Sequence, residues 1–569
     1  AKTNGLYWTP DPTNAVASWT VSRSGVPGVL TVLTITERRG SAERQHQYEY
    51  NRTTQTWTLD YPDNLRQDVI EFAAVGVNRY YTGTVKGPGG VEVYRIEQKF
   101  EQFAWGSGLV YQRIGVGTNQ LITTSTYSSS GFSAFDGMAN GTAVPLEQVN
   151  FPDGRWERYS YDNEGRLTQR IGPFLNAGPD ALSSECRTVD YVYQDGAGLW
   201  QPRVPRAELA KVQDWPVQRT LRQVTEFTLS EAGCLDLGTT NLSAAGNLLT
   251  VWRYYRAPHN LKHLLQSIQF PDGTREAYFY SSQNGYQTNV VLRGQADPAN
   301  LTNVLSGTKT IISLGSFGQV LRRKVQDLQT GIVLADDQYQ YTDEWLRSYQ
   351  VTHLDQTVEQ FQYGCCGLEQ FTDRDGVATT YQYDSLRRRI ETLRLGIRTT
   401  NQLDAIGNAL TTVRLGTNGT DAIVLDRSAY DLGGRRYVQT NALGGVTLFS
   451  EGRDSVSGGI TNRVIHPDGG VRLERRARDG SLLEVSGTAA HPQQFLYGID
   501  APGEIGPQGW PMYLPFTVQI NLSATGATNE WTRTYQDRFG RDYKTVYPDS
   551  TPDDLSDNPA RQTWFNTKG

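Results

Sequence analysis

Asp-Gly followed at a fixed distance by Tyr-x-Tyr occurs three times in this chain. It stands as Asp153-Gly154 with Tyr159 and Tyr161, as Asp272-Gly273 with Tyr278 and Tyr280, and as Asp375-Gly376 with Tyr381 and Tyr383. A spacing kept at distant places means one structural unit built repeatedly, and that limits the fold more than any composition figure. Two copies read Phe-Pro-Asp-Gly, at 151–154 and 270–273. This is turn chemistry: Pro presets φ, Asp bonds its own backbone, and Gly accepts a positive φ. In the strand that follows, side chains alternate between faces, so the two tyrosines share one face. The first copy runs on into Asp162, Gly165 and Arg166, a second turn and the start of a second strand. The predicted unit is strand, turn, strand.

Weaker copies extend the pattern. Tyr-x-Tyr recurs at Tyr48/Tyr50, Tyr191/Tyr193 and Tyr339/Tyr341. Tyr430-Asp431 with Gly433, Gly434 and Arg435 keeps the second turn, as does Asp537 with Gly540 and Arg541; Asp404 with Gly407 keeps Asp-x-x-Gly alone. Pro467-Asp468-Gly469 keeps the first turn, with Glu474 and Arg476 where tyrosines would stand. The copies divide the chain into a β region with degenerate repeats (1–150), a clear array (151–430) and a weaker continuation (431–569). The stretches 172–184, 231–246 and 490–515 read as insertions. Phe565 to Gly569 reads as a copy stopped at its glycine, and the expectation is a fragment of a longer chain.

These residues resemble the YD-repeat, or RHS-repeat, family. Its signature, Tyr-Asp-x-x-Gly-Arg-Leu, is matched throughout Tyr161 to Leu167. Tyr383-Asp384-Ser385-Leu386-Arg387-Arg388 matches with Arg387 in place of the glycine. The resemblance covers most of 150–569 and is weak over 1–150. It implies an all-β fold: antiparallel hairpins stacked side by side into a spiralling sheet or hollow shell, as in teneurin and toxin-complex shells. It also implies a secreted or cell-surface protein that encloses cargo or presents a scaffold. The family's closing region rich in Asp-Pro-x-Gly-Arg, its autoprotease aspartate pair and a toxin domain are not found in this sequence.

Composition agrees with β structure. Glycine numbers 57 and tyrosine 31, against 2 methionines; aromatic residues suit a pleated, half-buried surface. No long segment has helical periodicity, and the best helix candidate is the short Arg206 to Val212. The net charge of −6 argues against a nucleic-acid partner, which needs a basic face. No run of about 18 apolar residues exists, so no membrane span is expected. The start at Ala1 suits a processed chain.

Few residues suggest chemistry. No nucleophile elbow, phosphate loop or His-Glu-x-x-His is present, no cofactor is expected, and an enzyme is the less favoured reading. His259 and His263 at i, i+4 are metal ligands only if helical; in a strand they stand too far apart for one ion. Asp373-Arg374-Asp375 starts like a calcium loop but lacks its later Glu, and Asp553, Asp554 and Asp557 are equally ambiguous. Cys186 and Cys234 are candidates for a disulfide across a hairpin. The adjacent Cys365 and Cys366 are open to a vicinal disulfide, a metal or free thiols. Trp57, Trp105, Trp156, Trp252 and Trp345 lie in strand-like segments, where they either pack across the sheet or face a glycan or protein surface. The sequons at Asn51, Asn140, Asn241, Asn300, Asn418 and Asn521 add little.

Three readings follow. The first is a secreted or cell-surface scaffold for surface contact, carbohydrate adhesion or cargo enclosure. The second is the shell portion of a polymorphic toxin whose enzyme lies beyond Gly569, and the third an extracellular carbohydrate-active enzyme. Glycans and surface proteins are the expected partners, with self-association through open sheet edges as a further route.

Overall fold

The computed structural model describes residues 2–3, 6–7, 17–39, 42–117, 120–128, 146–161, 167–182, 186–193, 205–214, 217–226, 248–255, 264–270, 272–283, 285–300, 302–341, 347–364, 367–419, 421–500, 514–523, 525–536, 541–548 and 558–563. The expected all-β fold is what forms. Strands adjacent in sequence pair with one another, as Leu146–Asn150 does with Trp156–Tyr161 and Leu368–Thr372 with Ala378–Tyr383. The described pairings are antiparallel apart from Val217–Glu226 against Leu248–Tyr254. Among the described residues no α-helix forms, and short 3-10 turns stand at Pro62–Asn64 and Pro88–Gly90.

Two expectations need correction. Arg206 to Val212 is not a helix but lies inside the strand Pro205–Asp214, paired on both sides. So short a segment cannot repay helix nucleation, whereas two neighbouring strands satisfy its backbone in full. The stretch 490–515 does not break the array either: Gln493–Asp500 pairs with Leu514–Leu522 along its whole length.

The two turns that the sequence distinguishes share one geometry. In Phe151 to Arg155, the Phe151 N–H donates to the Arg155 carbonyl (2.9 Å) and the Gly154 N–H to the Phe151 carbonyl (3.1 Å). In Asp431 to Arg435, the same two bonds run Asp431 to Arg435 (2.9 Å) and Gly434 to Asp431 (2.9 Å). The fourth residue takes a positive φ in both, 88° at Gly154 and 79° at Gly434. Only the place of the aspartate differs. At the third position, Asp153 accepts the Arg155 N–H at 3.0 Å. At the first, Asp431 accepts the N–H groups of Gly433 and Arg435, both at 2.9 Å. Asp373 to Val377 carries an aspartate at both places. Either carboxylate fixes turn N–H groups that the ladder leaves over.

In five hairpins a tyrosine is a latch, and at Tyr161, Tyr341 and Tyr383 it is the second of its pair. The Tyr161 hydroxyl donates to the Leu146 carbonyl (2.9 Å), Tyr383 to Leu368 (2.8 Å) and Tyr497 to Leu482 (2.8 Å), each across 15 residues. Tyr341 reaches Val320 (2.7 Å) and Tyr430 reaches Ala409 (3.3 Å), each across 21 residues. Each acceptor is the first residue of a strand. After Leu368, Val320, Ala409 and Leu482 the ladder skips one residue: Glu369, Leu321, Leu410 and Leu483. A bulge interrupts regular pairing and sharpens the local twist, and the tyrosine of a following strand supplies a donor at that point.

The described residues divide into two units. Unit 1 comprises Ala1–Gly131, Gln360–Glu451 and Val464–Gly469; unit 2 comprises Phe132–Glu359, Gly452–Arg463 and Gly470–Gly569. In unit 1, Arg387 bonds Glu37 and the Arg95 N–H donates to the Leu432 carbonyl (3.1 Å). In unit 2, a Cβ added to Gly154 would stand 2.1 Å from the Gly458 carbonyl oxygen, so two turns meet there backbone to backbone. Fully buried clusters are small. One gathers Trp156, Ile171 and Cys186, and another Tyr535, Tyr543 and Val546.

Candidate functional site

Within unit 1, a polar cleft of about 650 Å³ is lined by residues from three segments: Glu43 to Gln47, Asp60 to Asn64, and Tyr383 to Ser385. The third segment is the YD signature itself. Tyr383 is held in the wall by its latch bond. Asp384 is committed to its turn, accepting the Arg388 N–H (2.9 Å) and Nε (2.8 Å). The Ser385 hydroxyl lies 3.5 Å from the Pro62 carbonyl, which ties this turn to the opposite wall.

That opposite wall is strained. Asp63 and Asn64 are successive non-glycine residues in the left-handed region, with φ 58° and 53°. Such conformations cost free energy and persist where the surroundings enforce them. The enforcement is visible on either side: Gln67 Nε2 donates to Asp60 (2.7 Å), and the Tyr61 N–H donates to the Arg66 carbonyl (3.0 Å). Arg66 grips Asp68 with two bonds of 2.7 and 2.9 Å while its guanidinium lies over the Tyr61 ring. The Tyr61 hydroxyl also donates to Asp68 (3.1 Å). Burial, and then the Asp68 charge, hold the Tyr61 hydroxyl above its ordinary pKa. His46 meets the Tyr61 ring edge-on at 5.6 Å. Burial lowers its pKa, against the Glu37 charge, so the imidazole favours its neutral form.

The cleft therefore offers carboxylates, amides and two tyrosines around open space, the donor and acceptor set that suits a polyhydroxylated or polar ligand. A second, smaller hollow of about 460 Å³ in the same unit is lined by Glu49, Asn51, Thr56, Glu71, Phe72 and Tyr80, among others.

Of the other described repeat-signature residues, most serve their own hairpin, while Gly154 also meets the Gly458 turn. The Tyr159 hydroxyl donates to Glu157, and Tyr278 donates to Glu276 at 2.5 Å. The carboxylate stands two residues before the tyrosine, on the same strand face. Asp272 caps the Thr274 N–H (2.8 Å) at the Gly273 turn, and Tyr280 packs edge-on against Tyr255. Of Asp373 and Asp375, the Asp373 carboxylate is occupied by its own turn, accepting the N–H groups of Asp375 and Val377, and by Arg394, which donates to it at 2.5 Å. Tyr381 lies beneath the Arg389 guanidinium.

Asp162, Gly165, Arg166, Cys234, Cys365, Cys366, His259, His263, Trp345, Asp553, Asp554, Asp557 and 564–569 lie outside the described residues, as does the Trp252 side chain. Cys186 is fully buried beside Trp156. Among the described residues no cluster of three or more His, Cys, Asp and Glu is placed to hold a metal, and no helix is long and apolar enough to cross a membrane.

Sequence reasoning missed two clamps. Trp156 and Arg275 occupy the same repeat position, two residues after the turn glycine, and both are buried. Trp156 Nε1 donates to the Ala177 carbonyl (2.8 Å) within the insertion at 172–184. Arg275 Nη1 donates to the carbonyls of Asp297 (3.0 Å), Asn300 (2.6 Å) and Asn303 (3.0 Å). Each pins the loop that follows the next strand. The available signal was a large side chain at a position where the third copy has Ala378.

No family model and no curated protein match this chain. Among solved structures it is similar over 93% of its length to the crystal structure of TcdB2-TccC3, at 9% identity and a TM-score of 0.37. It is similar over 91% to the Tc holotoxin pore of Photorhabdus luminescens, at 10% identity and a TM-score of 0.37. A further likeness is to TcdB2-TccC3 without its hypervariable C-terminal region, at 11% identity, 94% coverage and a TM-score of 0.35. The chain spans 41%, 33% and 34% of these three solved chains.

Proposed function

We propose that this chain is a structural scaffold of the YD-repeat type, secreted or displayed at a cell surface, whose hairpin wall contacts other surfaces or encloses cargo. The observation that supports this reading is the recurrence of one turn and one latch in both units, with tyrosines and aspartates spent on building hairpins. A protein made this way invests its chemistry in holding strands in register. Small-angle scattering tests it: a hollow particle supports a wall-forming scaffold, and several compact lobes would defeat it. In the toxin-shell form of this reading, the coding sequence after Gly569 carries an enzyme domain; further repeats alone would remove that form.

The cleft favours glycan adhesion as the contact this scaffold makes. A glycan array probed with the wild-type chain and with Asp63→Ala checks this; binding unchanged by the substitution would move adhesion elsewhere. Turnover of a bound polysaccharide would make the chain a carbohydrate-active enzyme instead.

A further inference from the structure

Three turns of unit 2 converge at 151–155, 454–459 and 477–481. The close approach of Gly154 and Gly458 sets their spacing. A Cβ on Gly458 would also stand 2.1 Å from the Arg478 guanidinium, so that side chain lies flat against the turn. Arg453 Nη1 points at the carbonyls of Phe151 (3.5 Å) and Pro152 (3.4 Å). Arg478 Nη1 points at the Gly154 carbonyl (3.3 Å), and its Nε is buried with no hydrogen-bond partner. Two guanidiniums thus approach one turn, and their bonds there are long and neutral.

The carboxylates of the same three turns are already committed. Asp153 holds Arg155 (2.5 Å). Asp454 accepts Ser457 (2.7 Å) and Arg475 (3.2 Å). Asp479 accepts the Leu175 N–H (3.0 Å) and Arg187 (3.2 Å). Arg453 and Arg478 are left as neighbouring like charges. Burial, and then the charge of Arg453, disfavour the charged form of Arg478. Arg453 is exposed at the end of its strand, so the pair is open to solutes.

We propose that Arg453 and Arg478 form a binding site for a tetrahedral oxyanion, phosphate or sulfate, that bridges the two guanidiniums and clasps the 151–155 turn. Guanidinium forks match the geometry of such anions, and charge-assisted bonds exceed the neutral ones these groups now make. The anion also removes the repulsion between the pair. A free ion and a sulfate ester on a glycan present the same chemistry.

Isothermal titration calorimetry at fixed ionic strength tests the site, with inorganic phosphate in one arm and a sulfated disaccharide in the other. Saturable binding of phosphate alone identifies a free ion, and binding of the disaccharide identifies an ester. Arg453→Gln, at an exposed position, weakens binding by about tenfold. Arg453→Lys retains part of it. Arg478→Gln abolishes it, and hydrogen exchange at 151–155 shows whether that turn still docks. Heats that match chloride, or affinity unchanged in Arg453→Gln, would overturn the proposal.

Discussion

Arg387 donates to both carboxylate oxygens of Glu37, at 2.7 and 2.6 Å, across 350 residues of chain, from a backbone position with φ 62°. It stands where the YD signature has glycine, and a glycine there would remove strain of about 1 kcal/mol. The ion pair explains why arginine is kept: Glu37 is only 8% exposed, and its charge needs the guanidinium. Arg387→Ala is expected to destabilise unit 1 by about 2 kcal/mol, below the figure for a wholly buried pair because the Arg387 side chain is 38% exposed. Arg387→Gly combined with Glu37→Gln recovers most of that loss. Native-state hydrogen exchange reads both; equal protection in Arg387→Ala and wild type would remove the pair from the account.

The tyrosine latches are expected to act locally and independently. Tyr161→Phe and Tyr383→Phe each delete one hydrogen bond and cost about 1 kcal/mol. Faster exchange is expected around Leu146–Asn150 in the first variant and Leu368–Thr372 in the second, with additive effects in the double variant. Faster exchange spread over both units by either single change would contradict a local latch.

Arg275 governs the loop 297–303. Arg275→Ala strips one donor from three carbonyls and is expected to cost about 3 kcal/mol locally. Limited proteolysis should then cut within 297–303, while Arg275→Lys gives partial protection, because an ammonium also donates to several oxygens. If Arg275→Ala resists the protease as wild type does, the loop has another anchor.

Acid weakens the 454–459 turn. The Ser457 hydroxyl, then the Val456 N–H and Arg475, hold the Asp454 carboxyl down to about 2. A lowered pKa contributes stability that is full above the ordinary carboxylate range and is lost as pH falls through about 2. With solvent screening allowed for, the contribution is about 1 kcal/mol. Asp454→Asn should lose this stability at neutral pH, and the gap to wild type should narrow as pH falls below the ordinary carboxylate range and nearly close at about pH 2, as followed by exchange at Gly458 and Gly459. A gap that persists at pH 2 would assign the effect to shape rather than charge.

The alkaline side carries the opposite sign. Burial first, and then the accepting carboxylates Glu157 and Glu276, raise the Tyr159 and Tyr278 hydroxyls well above 10. Their contribution is full below pH 10 and is lost as pH rises through the raised values. Ultraviolet titration of Tyr159→Phe/Tyr278→Phe should show the wild-type amplitude near pH 10 and a smaller one above it. A reduced amplitude at pH 10 would mean these two tyrosines ionise normally.

The sequence made the hairpins legible because their markers are local: a turn residue and an alternating strand lie within a few positions of each other. It hid what depends on distance. Nothing in the text of 151–154 announces Gly458, and nothing in Arg387 announces Glu37. The common geometry of the two turns was also hidden, because aspartate stands third in one and first in the other while the backbone they serve is the same. Arg206 to Val212 misled because local preference cannot register two strands waiting on either side. The cleft was half legible: Tyr383 and Asp384 stood out as signature residues, whereas Asp63 and Asn64 carry no motif and declare themselves only through backbone angles.

The seat between Gly154 and Gly458 has no room for even a methyl group, and Leu175 meets Asp479 across the same interval of 304 residues. A contact that tight works as a ruler on the chain between. Growth at a hairpin tip leaves the number of strands alone and is free to vary. Gain or loss of a whole hairpin between these anchors would carry each later turn past its partner. Diversity in such a chain is therefore channelled into loops, while the count of hairpins is inherited as a fixed quantity.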